Sequence, residues 1–224
     1  VKGNQGIRWQ FPNPADADPE HEAICIGADL SPVTLLDAYS AGVFPMPNDD
    51  IGQLCWWSPN PRAVLMPAQV HVSRSLRRSA RDFTVTFDVC FEAVMRACAD
   101  PGRPSGWITE DFIEAYVRLH ELGYAHSVEV WTDDHVLAGG LYGVQLGGLF
   151  AGESMFHRRT DASKLALVAL CQRLHHASGE RLIDVQWETP HLRSMGVKTM
   201  QRAEYVALLP QLLATHPIDF DAPV

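Results

Sequence analysis

Between Leu137 and Leu146 apolar residues alternate with small ones at a two-residue period, Gly147-Gly148 interrupts the pattern, and a second apolar run, LFAGESMF, follows. This predicts two strands joined by a positive-φ hairpin turn. Beyond a polar loop the period lengthens to that of a helix. Leu165, Val168, Leu170, Cys171 and Leu174 recur behind Asp161, which stands where an N-cap belongs. One residue inside the hairpin breaks the pattern. Glu153 is a carboxylate in an apolar strand, costly to bury unless partnered, and Lys164 or Arg158 is the nearest candidate for a buried ion pair.

The same reading extends along the chain. Residues up to about Glu22 are rich in Pro, Asn and Asp and read as a loop or irregular arm. Ser31-Pro32 opens a helix whose apolar face carries Leu35, Leu36 and Tyr39 and which Gly42 ends. The next stretch, VFPMPNDDIGQLCWWSPNPRAVLMP, has five prolines and a tryptophan pair and resists regular assignment. A boundary near Pro61 divides a small N-terminal domain (1–61) from a larger one (62–224). Ser73 then caps a helix bearing Arg74, Arg77, Arg78 and Arg81 on one face, with no acid between His71 and Arg81. FTVTFD reads as a strand, Asp88 as the cap of a helix through Cys98, and Thr109 as the start of a helix that Gly123 stops. AHSVEVW and RLIDVQ read as strands, and a last helix spans roughly Arg202 to Leu213. The order of elements predicts an α+β fold with a mixed sheet.

Composition narrows the class. With 46% hydrophobic and 20% charged residues, the 224 residues suffice for a sizeable core, and no apolar run approaches membrane-spanning length. VKGNQGIRWQFPNPAD lacks the basic and apolar regions of a signal peptide, so the expected location is cytoplasmic. Five cysteines without CxxC spacing argue against a disulfide framework or a zinc knuckle, and the histidines lack HExxH-type spacing, so no metal site is expected. A formal charge of −9 requires any polyanion to be met by a local basic patch, and the arginine stripe is the acid-free one.

Asp184 and Gln186 stand two apart on one strand, which predicts a shared face, with Ile183 and Val185 turned into the core. A structural Asp–Gln pair satisfying loop backbone is the plain alternative. Gly152-Glu153-Ser154-Met155-Phe156 begins like a nucleophile elbow, with Ser154, Asp184 and His191 in hydrolase order, but Phe156 stands where that strained turn needs a small residue.

GADLSPVTLLDAYSAGVFP, WWSPNPRAVL, WITEDFIEAYVRLHELGYAHSVEVW, GGLYGV, GESMF, ASKLAL, LIDVQ and HLRSMG together resemble the leucyl/phenylalanyl-tRNA–protein transferases over nearly all of the chain after residue 24. The resemblance implies a small N-terminal domain followed by an acetyltransferase-like (GNAT-like) domain. It also implies the reaction: Leu, Phe or sometimes Met moves from its tRNA to the amino group of a protein beginning with Arg or Lys, marking that protein for degradation. Carried over by position, Glu153, Asp184 and Gln186 stand around the reacting groups, and Trp107 near the aminoacyl-adenosine end. Trp57, Ser154, Met155, Met46 and Leu170 complete the implied substrate contacts, with a monomer expected. Two departures are visible: Met46 replaces the family's usual Trp after Phe44-Pro45, losing a stacking face, and His157 replaces a Ser after GESMF.

The chemistry suits these residue types. An aminoacyl ester is already activated, so no cofactor is expected, and the enzyme's work is to align amine and carbonyl. Gln186 would accept a hydrogen bond from the attacking amine, Asp184 would orient or polarise its amide, and Glu153 would hold the cationic first residue of the acceptor. An acyl-CoA transferase would carry a glycine-rich pyrophosphate loop where RRTDASK stands, and a silent RNA-binding module has no use for the three polar residues.

Overall fold

In the computed structural model, which describes residues 8–48, 52–100, 102 and 106–220, two antiparallel-dominated sheets organise the chain. The first has three strands, β1 (Ala23–Ile26), β2 (Phe44–Asn48) and β3 (Gln53–Trp57), in the order β1-β3-β2. The stretch that resisted assignment is therefore sheet. Pro45 and Pro47 sit in β2, an edge strand, where a missing backbone N–H costs no ladder bond. Helix α1 (Pro32–Ala41) lies before it and ends at Gly42, at φ 87°, as its sequence predicts. Its N-terminus is held differently. Asp29, not Ser31, gathers the first turn, accepting from the Ser31 N–H and the Thr34 hydroxyl.

The second sheet has seven strands: β4 (Arg62–Leu65), β5 (Phe83–Phe87), β6 (Ala125–Thr132), β7 (Leu137–Leu146), β8 (Leu149–His157), β9 (Leu182–Gln186) and β10 (Lys198–Met200), ordered β10-β4-β9-β8-β7-β6-β5. All neighbours run antiparallel except β8 and β9. Gly147 takes φ 59° in the two-residue turn between β7 and β8, as the hairpin requires.

Side-chain alternation sends the two faces of this sheet into different clusters. Val128, Val130, Leu141, Phe150 and Ile183 meet α5 (Ala162–His176), which is apolar nearly all round because it is buried on most of its circumference. Tyr142, Val144, Ala151 and Phe156 instead meet α3 (Phe91–Cys98), α4 (Glu110–Glu121) and α1. Over strands β4, β9 and β8, α7 (Arg202–Ala214) packs Tyr205, Leu209 and Leu212 on Val64, Leu149 and Leu182. Two short helices, α2 (Arg74–Ser79) and α6 (Pro190–Ser194), add Leu76 and Leu192 to the cluster on the α5 side.

Three local expectations are corrected. Asp88 does not cap α3: at φ 57° it turns its carboxylate to the His126 ring and the Ser127 N–H. Asp161 occupies the N-cap of α5 in the left-handed region, makes no side-chain cap, and pairs with Lys164 at 3.2 Å. Arg81 lies beyond α2 in a 3-10 turn, although Ser73 caps that helix as predicted. Among the described residues no helix is long and apolar enough to cross a membrane.

Candidate active site

The parallel strands β8 and β9 pair only at Leu149–Leu182, Phe150–Ile183 and Ala151–Asp184. Beyond that point a cavity of about 280 Å³ lies between them. Its apolar wall is Leu141, Phe150, Met155, Leu167, Leu170 and Ile183, and its polar contributions include Glu153, Ser154, Gln186, Thr189 and His191. This is slightly below the roughly 300–1,000 Å³ of drug-sized pockets, a space for one apolar side chain rather than a large cofactor. A wider groove of about 790 Å³ between α4 and the N-terminal sheet contains none of the candidate residues.

Glu153 forms an ion pair with no cation among the described residues. Lys164 is engaged by Asp161, and Arg158 lies over the Phe156 ring and donates to the Leu137 carbonyl. The Glu153 carboxyl instead receives the Tyr116 hydroxyl on Oε2 at 3.2 Å, and Tyr116 in turn shares a short hydrogen bond with Tyr39 of α1. The residue is only partly buried, but Oε1 is sealed from solvent and without a hydrogen-bond partner among the described residues. Burial pushes this carboxyl up to about 8, against the Tyr39 and Tyr116 hydroxyls, while the nearby charge of Asp184 adds to the rise and that of its partner Arg62 opposes it. Burial likewise raises both tyrosines well above their usual range, Glu153 being the next cause.

Asp184 and Gln186 do not present their side chains to one space. Gln186 lines the cavity with its Nε2 buried and without a partner among the described residues, while Asp184, fully buried, turns behind the wall to Arg62. The reason is the backbone: Gln186 is at φ 60°, where strand alternation no longer holds. Asp184 contacts the backbone amide of Gln186 and not its side chain, accepting that N–H on Oδ1 at 3.0 Å. A Ser154–His191–Asp184 triad is therefore not assembled. Ser154 and His191 line the cavity, but both oxygens of Asp184 are engaged by Arg62, at 2.8 and 2.6 Å.

The remaining candidates lie outside the cavity lining. Trp107 packs edge-on against Phe112, 5.4 Å between ring centroids. Trp57 donates its indole N–H to the Met46 carbonyl at 3.2 Å, tying β3 to β2. Arg74, Arg77, Arg78 and Arg81 are exposed, and their side chains make no hydrogen bond or ion pair among the described residues. His157 is exposed at the end of β8. Sequence reasoning did not single out Arg62, Tyr205, Tyr39 or Tyr116 as site residues. Arg62 carried one local signal, a cation at the head of the apolar run AVL.

A family model described as leucyl/phenylalanyl-tRNA protein transferase matches residues 64–210, and the model of its N-terminal domain matches residues 28–60. The chain belongs to this family. A leucyl/phenylalanyl-tRNA–protein transferase of Oleidesulfovibrio alaskensis is 50% identical over 215 residues, covering 92% of this chain and 86% of that one. The protein of the same name from Tolumonas auensis is 50% identical over 207 residues, covering 90% and 87%, and that from Aromatoleum aromaticum 52% over 188, covering 82% and 78%. Among solved structures, L-PGS from Bacillus licheniformis matches with a TM-score of 0.39 at 14% identity, covering 59% of this chain and 49% of that one, too loose a likeness to carry an argument.

Proposed function

We propose that this protein is an aminoacyltransferase that moves Leu, Phe or, as a third donor, Met from its tRNA to the α-amino group of proteins beginning with Arg or Lys, marking them for degradation. It acts in the cytoplasm, as a monomer, and without a cofactor. The observation that carries this reading is the cavity where β8 and β9 part, apolar inside and flanked by Glu153 and Gln186. An apolar aminoacyl side chain fills it, with its ester carbonyl toward the polar groups.

In the reaction the acceptor amine attacks the ester carbonyl, a C–N bond forms, the C–O bond to the terminal ribose breaks, and the amine's proton leaves with the ribose oxygen. The attacking amine must be neutral. An α-amino group titrates near 8, so roughly a tenth is neutral at pH 7, and alignment rather than a strong base is the main demand. Gln186 accepts an N–H of that amine through its side-chain carbonyl, and its conformation is set by Asp184. Glu153, protonated in the empty site, loses its proton when the basic side chain of the acceptor arrives, because an adjacent cation favours the carboxylate.

The exposed stripe Arg74, Arg77, Arg78 and Arg81 takes phosphates of the tRNA, and its lack of acidic partners supports this. Trp107, Trp57 and Met46 serve the adenosine end. We also assign the seven-stranded sheet to the acetyltransferase-like type, on the parallel pair β8–β9 that parts midway, and divide the domains at residue 61. The test is mass spectrometry of peptides incubated with protein and leucyl-tRNA in chelator, without ATP or coenzyme A. An Arg-starting peptide should gain leucine and a Glu-starting one should not. A requirement for coenzyme A, or release of free leucine alone, would refute the reading.

A further inference from the structure

Gln186 is held by a clamp of buried residues remote from it in sequence. Asp184, completely buried, uses both carboxylate oxygens twice. Oδ1 accepts from Arg62 Nε at 2.8 Å and from the Gln186 backbone N–H at 3.0 Å, and Oδ2 accepts from Arg62 Nη2 at 2.6 Å and from the Tyr205 hydroxyl at 2.9 Å. Arg62 is itself completely buried. It donates through Nη1 to the Gly42 carbonyl and to Ser58 Oγ, each at 3.3 Å, and its guanidinium lies between the rings of Phe44 and Tyr205, 5.0 and 4.5 Å from their centroids.

This geometry opposes a simple polarising role for Asp184. A carboxylate paired in two-pronged fashion with a guanidinium projects little net charge, and its contact with Gln186 is to the backbone. That contact is an Asx turn, in which an Asp side chain bonds the N–H two residues on and so stabilises a bend in the chain. Here the bend leaves Gln186 at φ 60°, a region that non-glycine residues enter only when their surroundings impose it. The left-handed backbone is also what sends the Gln186 side chain into the cavity while Asp184 points away.

We infer that Arg62, Tyr205 and Asp184 are positioning residues for aminoacyl transfer, forming a clamp that imposes the left-handed backbone at Gln186 and thereby aims its amide at the attacking amine. This rests on the transferase reading above. It ties the active site to α7 through Tyr205 and to the α1–β2 connection through Gly42.

The test uses Tyr205→Phe, which deletes one hydroxyl from a buried ring of nearly unchanged volume, and Arg62→Lys, which keeps the charge and loses the two-pronged grip. Tyr205→Phe should lower kcat for leucine transfer by roughly fivefold, the loss of one such hydrogen bond, with KM for leucyl-tRNA and for the Arg-starting peptide unchanged. Arg62→Lys should lower it further. In a Gln186→Ala background Tyr205→Phe should cost nothing more, because the clamp acts through that side chain. A wild-type kcat in Tyr205→Phe, or the same fold loss in both backgrounds, would overturn the clamp. Hydrogen exchange followed by NMR supplies a readout independent of the reaction. The Gln186 backbone N–H should exchange severalfold faster in Tyr205→Phe, and unchanged exchange would overturn the clamp whatever the wild type catalyses. Faster exchange in a protein that transfers nothing would support the clamp and sink the transferase reading.

Discussion

Glu153 links folding to pH through one carboxyl. Its ordinary value of 4.5 is raised to about 8 in the folded protein, mainly by burial. The folded state therefore holds the proton more tightly than the unfolded one, so this group's contribution to stability is full below 4.5 and is lost as pH rises through 8. Thermal unfolding of wild type and Glu153→Gln across that window should show the wild type losing ground with rising pH, by at most about 1.4 kcal/mol per pH unit. A constant difference between the two proteins would place the carboxyl elsewhere on the scale. Asp184 is a different case. Removing one partner of a buried, fully engaged ion pair strands the other charge, so Asp184→Ala should lower the free energy of unfolding by about 3–5 kcal/mol in urea titration. A midpoint equal to wild type would contradict the burial described here. Both residues stood out in the sequence as polar positions among apolar ones, but their partners did not. Arg62 lies 122 residues from Asp184, and the Tyr39–Tyr116 contact spans 77, separations at which local periodicity carries no information.

At the scale of elements, the β7–β8 hairpin was legible because period-two alternation and a Gly-Gly turn agreed, and α5 because its apolar positions kept helical spacing. The N-terminal sheet was not legible. Its prolines read as breakers, and only the edge position of β2, a property of the assembled sheet, makes them tolerable. The hairpin also contains a close approach: a Cβ at Gly143 would lie 2.3 Å from the Ala151 carbonyl oxygen and 2.4 Å from the Phe150 ring. Gly143→Ala should destabilise the protein by at least about 1–3 kcal/mol through overpacking, and a melting temperature equal to wild type would mean the strands separate more easily than this register implies. The arginine stripe gives a second element-level expectation. Replacing Arg74 and Arg77 with Ala should weaken tRNA binding and flatten the plot of log affinity against log salt by about 1.5, the release of counterions from two phosphates. An unchanged slope would return the stripe to plain solvent exposure.

A net charge of −9 means that, on the proposed reading, a polyanionic donor has to be met locally, by a basic stripe on one short segment and an apolar cavity where two parallel strands part. That parting exists only after β4, β8 and β9 assemble, so the cavity could not be drawn from the sequence although many of its lining residues lie within recognisable runs. An apolar pocket discriminates by shape at about 1–3 kcal/mol per methylene, enough to prefer unbranched-Cβ donors over Val without a second site. The most direct measurement is a competition in which leucyl-, phenylalanyl- and valyl-tRNA are offered together with one Arg-starting peptide and the products are weighed. Peptides extended by Leu and Phe, with Val at a small fraction of either, are the expected result. No extended peptide, or equal extension by Val, would contradict the account.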